Sequence, residues 1–134
     1  MPNAPLIALA LLVAGALPAV ACEADRRVMF DKPATLQGTL AAGKGQHDAQ
    51  GAFDYVYLVL EAPVCVDAAA APAGEEDAPQ SIAEPVTRVQ IAGEASNKEL
   101  PVGSQVSVEG TLFPAHTMWH VEQVLIDAAD VTLK

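Results

Sequence analysis

The stretch Gln105-Val106-Ser107-Val108-Glu109-Gly110-Thr111-Leu112 alternates apolar and polar residues with a period of two. Only an extended strand with one face against a core puts Val106, Val108 and Leu112 on one side and Ser107, Glu109 and Thr111 on the other. Thr35 to Leu40 repeats the pattern, with Leu36, Gly38 and Leu40 facing inward. The two pentads Leu36-Gln37-Gly38-Thr39-Leu40 and Val108-Glu109-Gly110-Thr111-Leu112 each carry an inward glycine. A missing side chain there permits a bulge or a sharp coil of the strand. The chain is thus directed toward curved β structure.

Other segments extend the pattern. Phe53 to Leu60 is aromatic and β-branched on both faces, as a central strand requires. Val86 to Ile91 is a third, shorter candidate. A last strand from Trp119 to Asp127 changes phase, since Trp119 and Val121 share one parity and Val124 and Ile126 the other. Either a bulge falls near Glu122-Gln123 or that strand is buried on both faces. Val131 to Leu133 can add a further extended piece. The connection Ala92 to Gly103 has room for one helical turn at Asn97 to Leu100 before Pro101 stops it. The segment 67–85 is rich in Ala and Pro, carries Glu75-Glu76-Asp77 and has almost nothing for a core, so it reads as a mobile acidic loop. Five strands with a helical turn before the fourth predict an all-β, OB-like Greek-key barrel, in which closure removes exposed edges. An open sandwich is the alternative.

The N-terminus sets the compartment. Leu6 to Val13 is unbroken apolar sequence, and Ala19-Val20-Ala21 stands before Cys22, the apolar core and small-x-small site of a signal peptide. A membrane anchor fails on length, because Leu6 to Val20 gives about fifteen residues where roughly twenty are needed. The expectation is a signal peptide over 1–21 and a single domain over 22–134, periplasmic or secreted. In such a compartment Cys22 and Cys65 pair by default, closing a loop worth about 4 kcal/mol of denatured-state entropy. The competing reading is a lipoprotein acylated at Cys22 and held on a membrane, which would strand Cys65.

All charged residues lie beyond residue 21, so the net charge of −10 belongs to the exported part. That excess repels phosphate backbones and anionic lipid, which excludes nucleic acid as a natural partner. No G-x-S-x-G elbow, phosphate-cradling loop, H-E-x-x-H helix or dinucleotide fingerprint occurs. Ser104, His116 and Asp127 form a triad only on paper. The chain is expected not to be an enzyme, to need no cofactor, and to be a monomer.

The segment Gly110-Thr111-Leu112-Phe113-Pro114-Ala115-His116-Thr117-Met118-Trp119-His120, running into Val124-Leu125-Ile126-Asp127, resembles the hallmark of an uncharacterised family of exported bacterial proteins, domain of unknown function 4431. The likeness extends to Cys22, Ala62-Pro63-Val64-Cys65-Val66 and Val89-Gln90-Ile91. It implies an exported OB-like domain with paired cysteines, and no activity. The family's hairpin is rich in histidine, whereas Pro114, Trp119 and Val121 stand here where members often have His. Only His116 and His120 remain.

These two imidazoles are weak candidates for zinc or copper, needing a third ligand from Glu122, His47 or Asp48. The main expectation is a binding or interaction module of the cell envelope, taking a protein or a small ligand. Trp119 at a hairpin tip is its best anchor, joined by Phe113. The stripe Phe53, Tyr55 and Tyr57 reads either as a ligand platform or as packing, and packing is favoured because aromatics are scarce.

Overall fold

The computed structural model describes residues 22–69 and 80–134; the expected signal peptide and the acidic triplet fall outside these residues. Six strands are formed: β1 (Arg26–Met29), β2 (Pro33–His47), β3 (Gly51–Asp67), β4 (Val86–Ala92), β5 (Gln105–Pro114) and β6 (Val124–Leu133). β2, β3, β4, β6 and β5 hydrogen-bond in that cyclic order, with β4 and β6 parallel and the other pairs antiparallel. This is a closed five-stranded barrel with OB-type order, as the alternation predicts. The open sandwich is overturned by the β3–β4 pairing that closes the ring.

The inward faces fill it. Leu36, Leu40, Leu58, Val106, Val108 and Leu112 are all fully buried, joined by Val89 and Ile126 from the parallel pair. Both inward glycines lie where neighbouring backbone comes close. A β-carbon on Gly38 would strike the Val59 carbonyl, and one on Gly110 would strike the Asp127 carbonyl. Beside Gly110 the register slips, so that Glu109 faces Asp130 while Gly110 faces Ala128, leaving Ala129 as an extra residue in β6.

Four expectations need correction. β1 is a sixth strand, parallel to β3 through Arg26↔Val64 to Met29↔Asp67, on the edge that β2 has left by Leu60. It delivers Phe30, wholly buried, into the core. β2 and β3 run well past their predicted ends, pairing as far as His47↔Gly51, because cross-strand hydrogen bonds override the low strand propensity of Ala41 to Gly45. The helical turn is a 3-10 turn at Glu94–Asn97, earlier than the predicted Asn97 to Leu100; Ala95 is its buried residue, and packing rather than the distant Pro101 sets its position. Finally, β6 begins at Val124, so Trp119 to Gln123 is loop and the phase change marks its junction with a strand buried on both faces at Val124, Leu125 and Ile126.

Cys22 and Cys65 form a disulfide with Cα atoms 5.7 Å apart. Pairing consumes the Cys22 thiol, so the acylated alternative has no sulfur to modify. The segment 67–85 is anchored at both described ends: Ser81 Oγ accepts from the Ala68 N–H at 2.7 Å, and the Ile82 N–H donates to the Val66 carbonyl at 2.9 Å. Among the described residues no helix is long and apolar enough to cross a membrane.

Candidate functional site

The long β2–β3 hairpin projects beyond the barrel, and the β5–β6 connection, residues 115–123, folds against it. Two glycines let them meet. Gly43 and Gly45 face Tyr55 and Phe53 across the hairpin. A β-carbon at Gly43 would sit 2.6 Å from Tyr55 Cε1, and one at Gly45 would lie 2.7 Å from Val121 Cγ2 as well as inside the Phe53 ring. The aromatic rings therefore lie across bare backbone, with the 115–123 loop packed on top.

Gln90 fixes that loop. It stands in β4 between the core residues Val89 and Ile91, is 6 % exposed, and is the sole buried polar side chain among the described residues. Its Nε2 donates to the Trp119 carbonyl at 2.9 Å, while its Oε1 accepts from the N–H groups of Val121 at 2.7 Å and Glu122 at 3.1 Å. One carboxamide thus satisfies three loop backbone groups that would otherwise be desolvated without partners.

On this support the Trp119 indole stacks on His47, with centroids 4.3 Å apart, and meets Phe53 edge-on at 4.8 Å. It remains 45 % exposed, flanked by exposed Met118 and Val121. His47 is held in turn: its Nδ1 accepts the N–H groups of Ala49 and Gln50, closing the hairpin tip.

His120 plays the same part in the opposite loop, where its Nδ1 accepts the N–H groups of His116 at 3.0 Å and Thr117 at 3.2 Å. Burial, and then the neighbouring His116, hold the His120 pKa below the usual histidine value. His116 donates from Nδ1 to the Pro114 carbonyl. The two rings lie 4.7 Å apart, and Phe113 packs against both, half-buried. The histidines are brought together, but not as a ligand pair. A metal on His120 Nε2 would push the ring proton to Nδ1 and break both loop hydrogen bonds. Among the described residues no group of three or more His, Cys, Asp or Glu could hold a metal ion.

Tyr55 and Tyr57 share a face but are not an open platform. The Tyr55 hydroxyl donates to Glu122 Oε1 at 2.9 Å, Arg88 pairs with the same oxygen at 2.6 Å, and the guanidinium lies 3.9 Å over the Tyr57 ring. Burial, then the hydrogen bond to Glu122, raise the Tyr55 pKa. Burial is the largest single influence on Arg88 and opposes its charge, but Glu122, Tyr57 and Tyr55 together outweigh it and the Arg88 pKa is raised. Glu122 is thus committed to a structural network. Ser104 and His116 flank opposite ends of β5, about 30 Å apart at the usual rise per residue, so the paper triad does not assemble.

Between the hairpin, the 115–123 loop and the 3-10 turn lies a cleft of about 580 Å³, lined among others by Trp119, Phe53, Asp54, Gln90, Ser96 and Asn97. Sequence reasoning found Trp119 but missed Gln90, Ser96, Asn97 and the paired glycines. A lone glutamine between Val89 and Ile91, and two glycines spaced to face Phe53 and Tyr55, were the available signals.

Residues 88–132 match the family model described as a domain of unknown function, DUF4431. The matched segment begins within β4 and ends one residue short of the end of β6, with the 3-10 turn, β5 and the 115–123 loop between them. It carries Gln90 and Trp119, whereas His47, Phe53 and the disulfide lie outside it. No curated protein and no solved structure gives a significant match to the chain.

Proposed function

We propose that this protein is a non-catalytic binding module of the cell envelope, which takes its partner at the cleft between the β2–β3 hairpin and the 115–123 loop. One observation carries the reading: Trp119 is both exposed and immobilised. Most large side chains at a surface must lose rotamer freedom when they bind, whereas an indole already braced by His47 and Phe53, on a main chain held by Gln90, has little left to lose. Exposed, preorganised tryptophans of this kind dominate binding energies. In OB-type barrels the equivalent sheet face and its two flanking loops receive ligands. The Cys22–Cys65 crosslink suits an oxidising compartment.

The test is Trp119→Ala, read by thermal melting and by capture from a soluble envelope extract. The expected result is a melting temperature within about 3 °C of wild type, as for a surface substitution, together with loss of capture. A fall of 10 °C or more, at about 4 °C per kcal/mol for a domain of this size, would make Trp119 a structural residue and remove the proposal's main support.

A further inference from the structure

We propose that the cleft takes a neutral oligosaccharide, one pyranose ring lying on the Trp119 indole; this rests on the cleft being a binding site. A pyranose has a face of aliphatic C–H groups and a rim of hydroxyls. It therefore needs an aromatic plane beside convergent polar groups, and the cleft supplies both. Phe53 and Trp119 form the aromatic wall. Asp54, Ser96 and Asn97 supply the polar groups. Ser96 Oγ donates to the Gly93 carbonyl at 2.7 Å, leaving its lone pairs to accept from a hydroxyl. Among the described residues the Asn97 carboxamide has no hydrogen-bond partner, so it is free both to donate and to accept.

Charge removes the competing classes. No lysine or arginine lines the cleft, and the chain carries −10 overall, which repels oligonucleotides and acidic glycans alike. A basic peptide would find a single carboxylate, Asp54, whose exposed pairing with Lys44 leaves it able to accept from a hydroxyl but places a competing cation beside it. A lipid chain would leave the Asn97 carboxamide desolvated without a partner. The volume lies within the range for small-molecule sites and admits two or three sugar rings rather than a protein surface.

Trp119 is the sole tryptophan, so fluorescence excited selectively at the indole, beyond the tyrosine absorption, reports on the cleft. The experiment titrates the full exported chain with chitotriose, maltotriose and cellotriose, alongside hexalysine and a thymidine dodecamer. The expected result is a saturable Trp119 response to at least one trisaccharide and none to the DNA. Asn97→Ala should weaken that response about fivefold, the effect of losing one hydrogen bond, with the melting temperature unchanged. No saturable response to any of the three sugars overturns the proposal. A response to hexalysine without one to the sugars overturns the saccharide class while leaving the cleft a binding site. Sugar binding equal in wild type, Asn97→Ala and Asp54→Asn overturns the placement.

Discussion

Replacing Gln90 by leucine tests how the site is built. Leucine keeps most of the side-chain volume in β4 but removes the carboxamide that serves the Trp119 carbonyl and the Val121 and Glu122 N–H groups. At about 1 kcal/mol net per hydrogen bond, three losses cost roughly 3 kcal/mol if the loop stays in place. For a domain of this size that lowers the melting temperature by about 10–15 °C. The loop has an escape, however: it can lift away and hydrate its own backbone, in which case Trp119 leaves His47 and part of the cost returns as lost Phe53 packing. Urea unfolding measures the total, and amide exchange at Val121 and Glu122 separates the two routes. Gln90→Glu refines the test, because a carboxylate still accepts both N–H groups but sets its second oxygen against the Trp119 carbonyl. It should leave the Val121 amide protected while shifting the Trp119 emission. A Gln90→Leu protein with an unfolding free energy within 0.5 kcal/mol of wild type, the range of an ordinary surface substitution, and both amides still protected would refute the reasoning.

Further outcomes follow from the same contacts. Gly38→Ala and Gly110→Ala each drive a methyl into a neighbouring backbone carbonyl, so each should cost at least ~3 kcal/mol in urea unfolding. Gly51→Ala, at φ +78 with nothing within 4 Å, should cost only about 1–2 kcal/mol. Reduction of Cys22–Cys65 should lower stability by about 4 kcal/mol, measured by denaturation with and without dithiothreitol. His120 has a folded pKa below its unfolded value near ~6.5, so the unfolded chain takes the proton first; its contribution is complete above that pH and is lost as pH falls through the folded pKa. The urea midpoint should therefore drop between pH 7.5 and 5, and His120→Ala should remove part of that drop.

The barrel was legible because its inward residues alternate. Leu36, Val106, Val108 and Leu112 declare their faces by period alone, and Gly38 and Gly110 mark where strands press together. β1 was not legible: Arg-Arg-Val-Met has no alternation and is a strand only because β3 offers a vacant edge. Nor was the far hairpin, where Ala41 to Gly45 carries no alternation and the Phe53 and Tyr55 rings lie across its glycines. The site divides in the same way. Trp119 could be named from its type and its place near a turn, but what holds its main chain is a glutamine twenty-nine positions earlier, in β4. Such a partner is visible in sequence only as a polar residue misplaced in an apolar run.

The central claim, an indole open to solvent on a fixed frame, is tested most directly by the fluorescence of Trp119 in the native protein. Acrylamide quenching should be intermediate between that of the urea-unfolded chain and that of a buried indole, while emission anisotropy shows the ring tumbling with the whole domain. Quenching equal to the unfolded chain with rapid local depolarisation, or no quenching at all, would contradict the account.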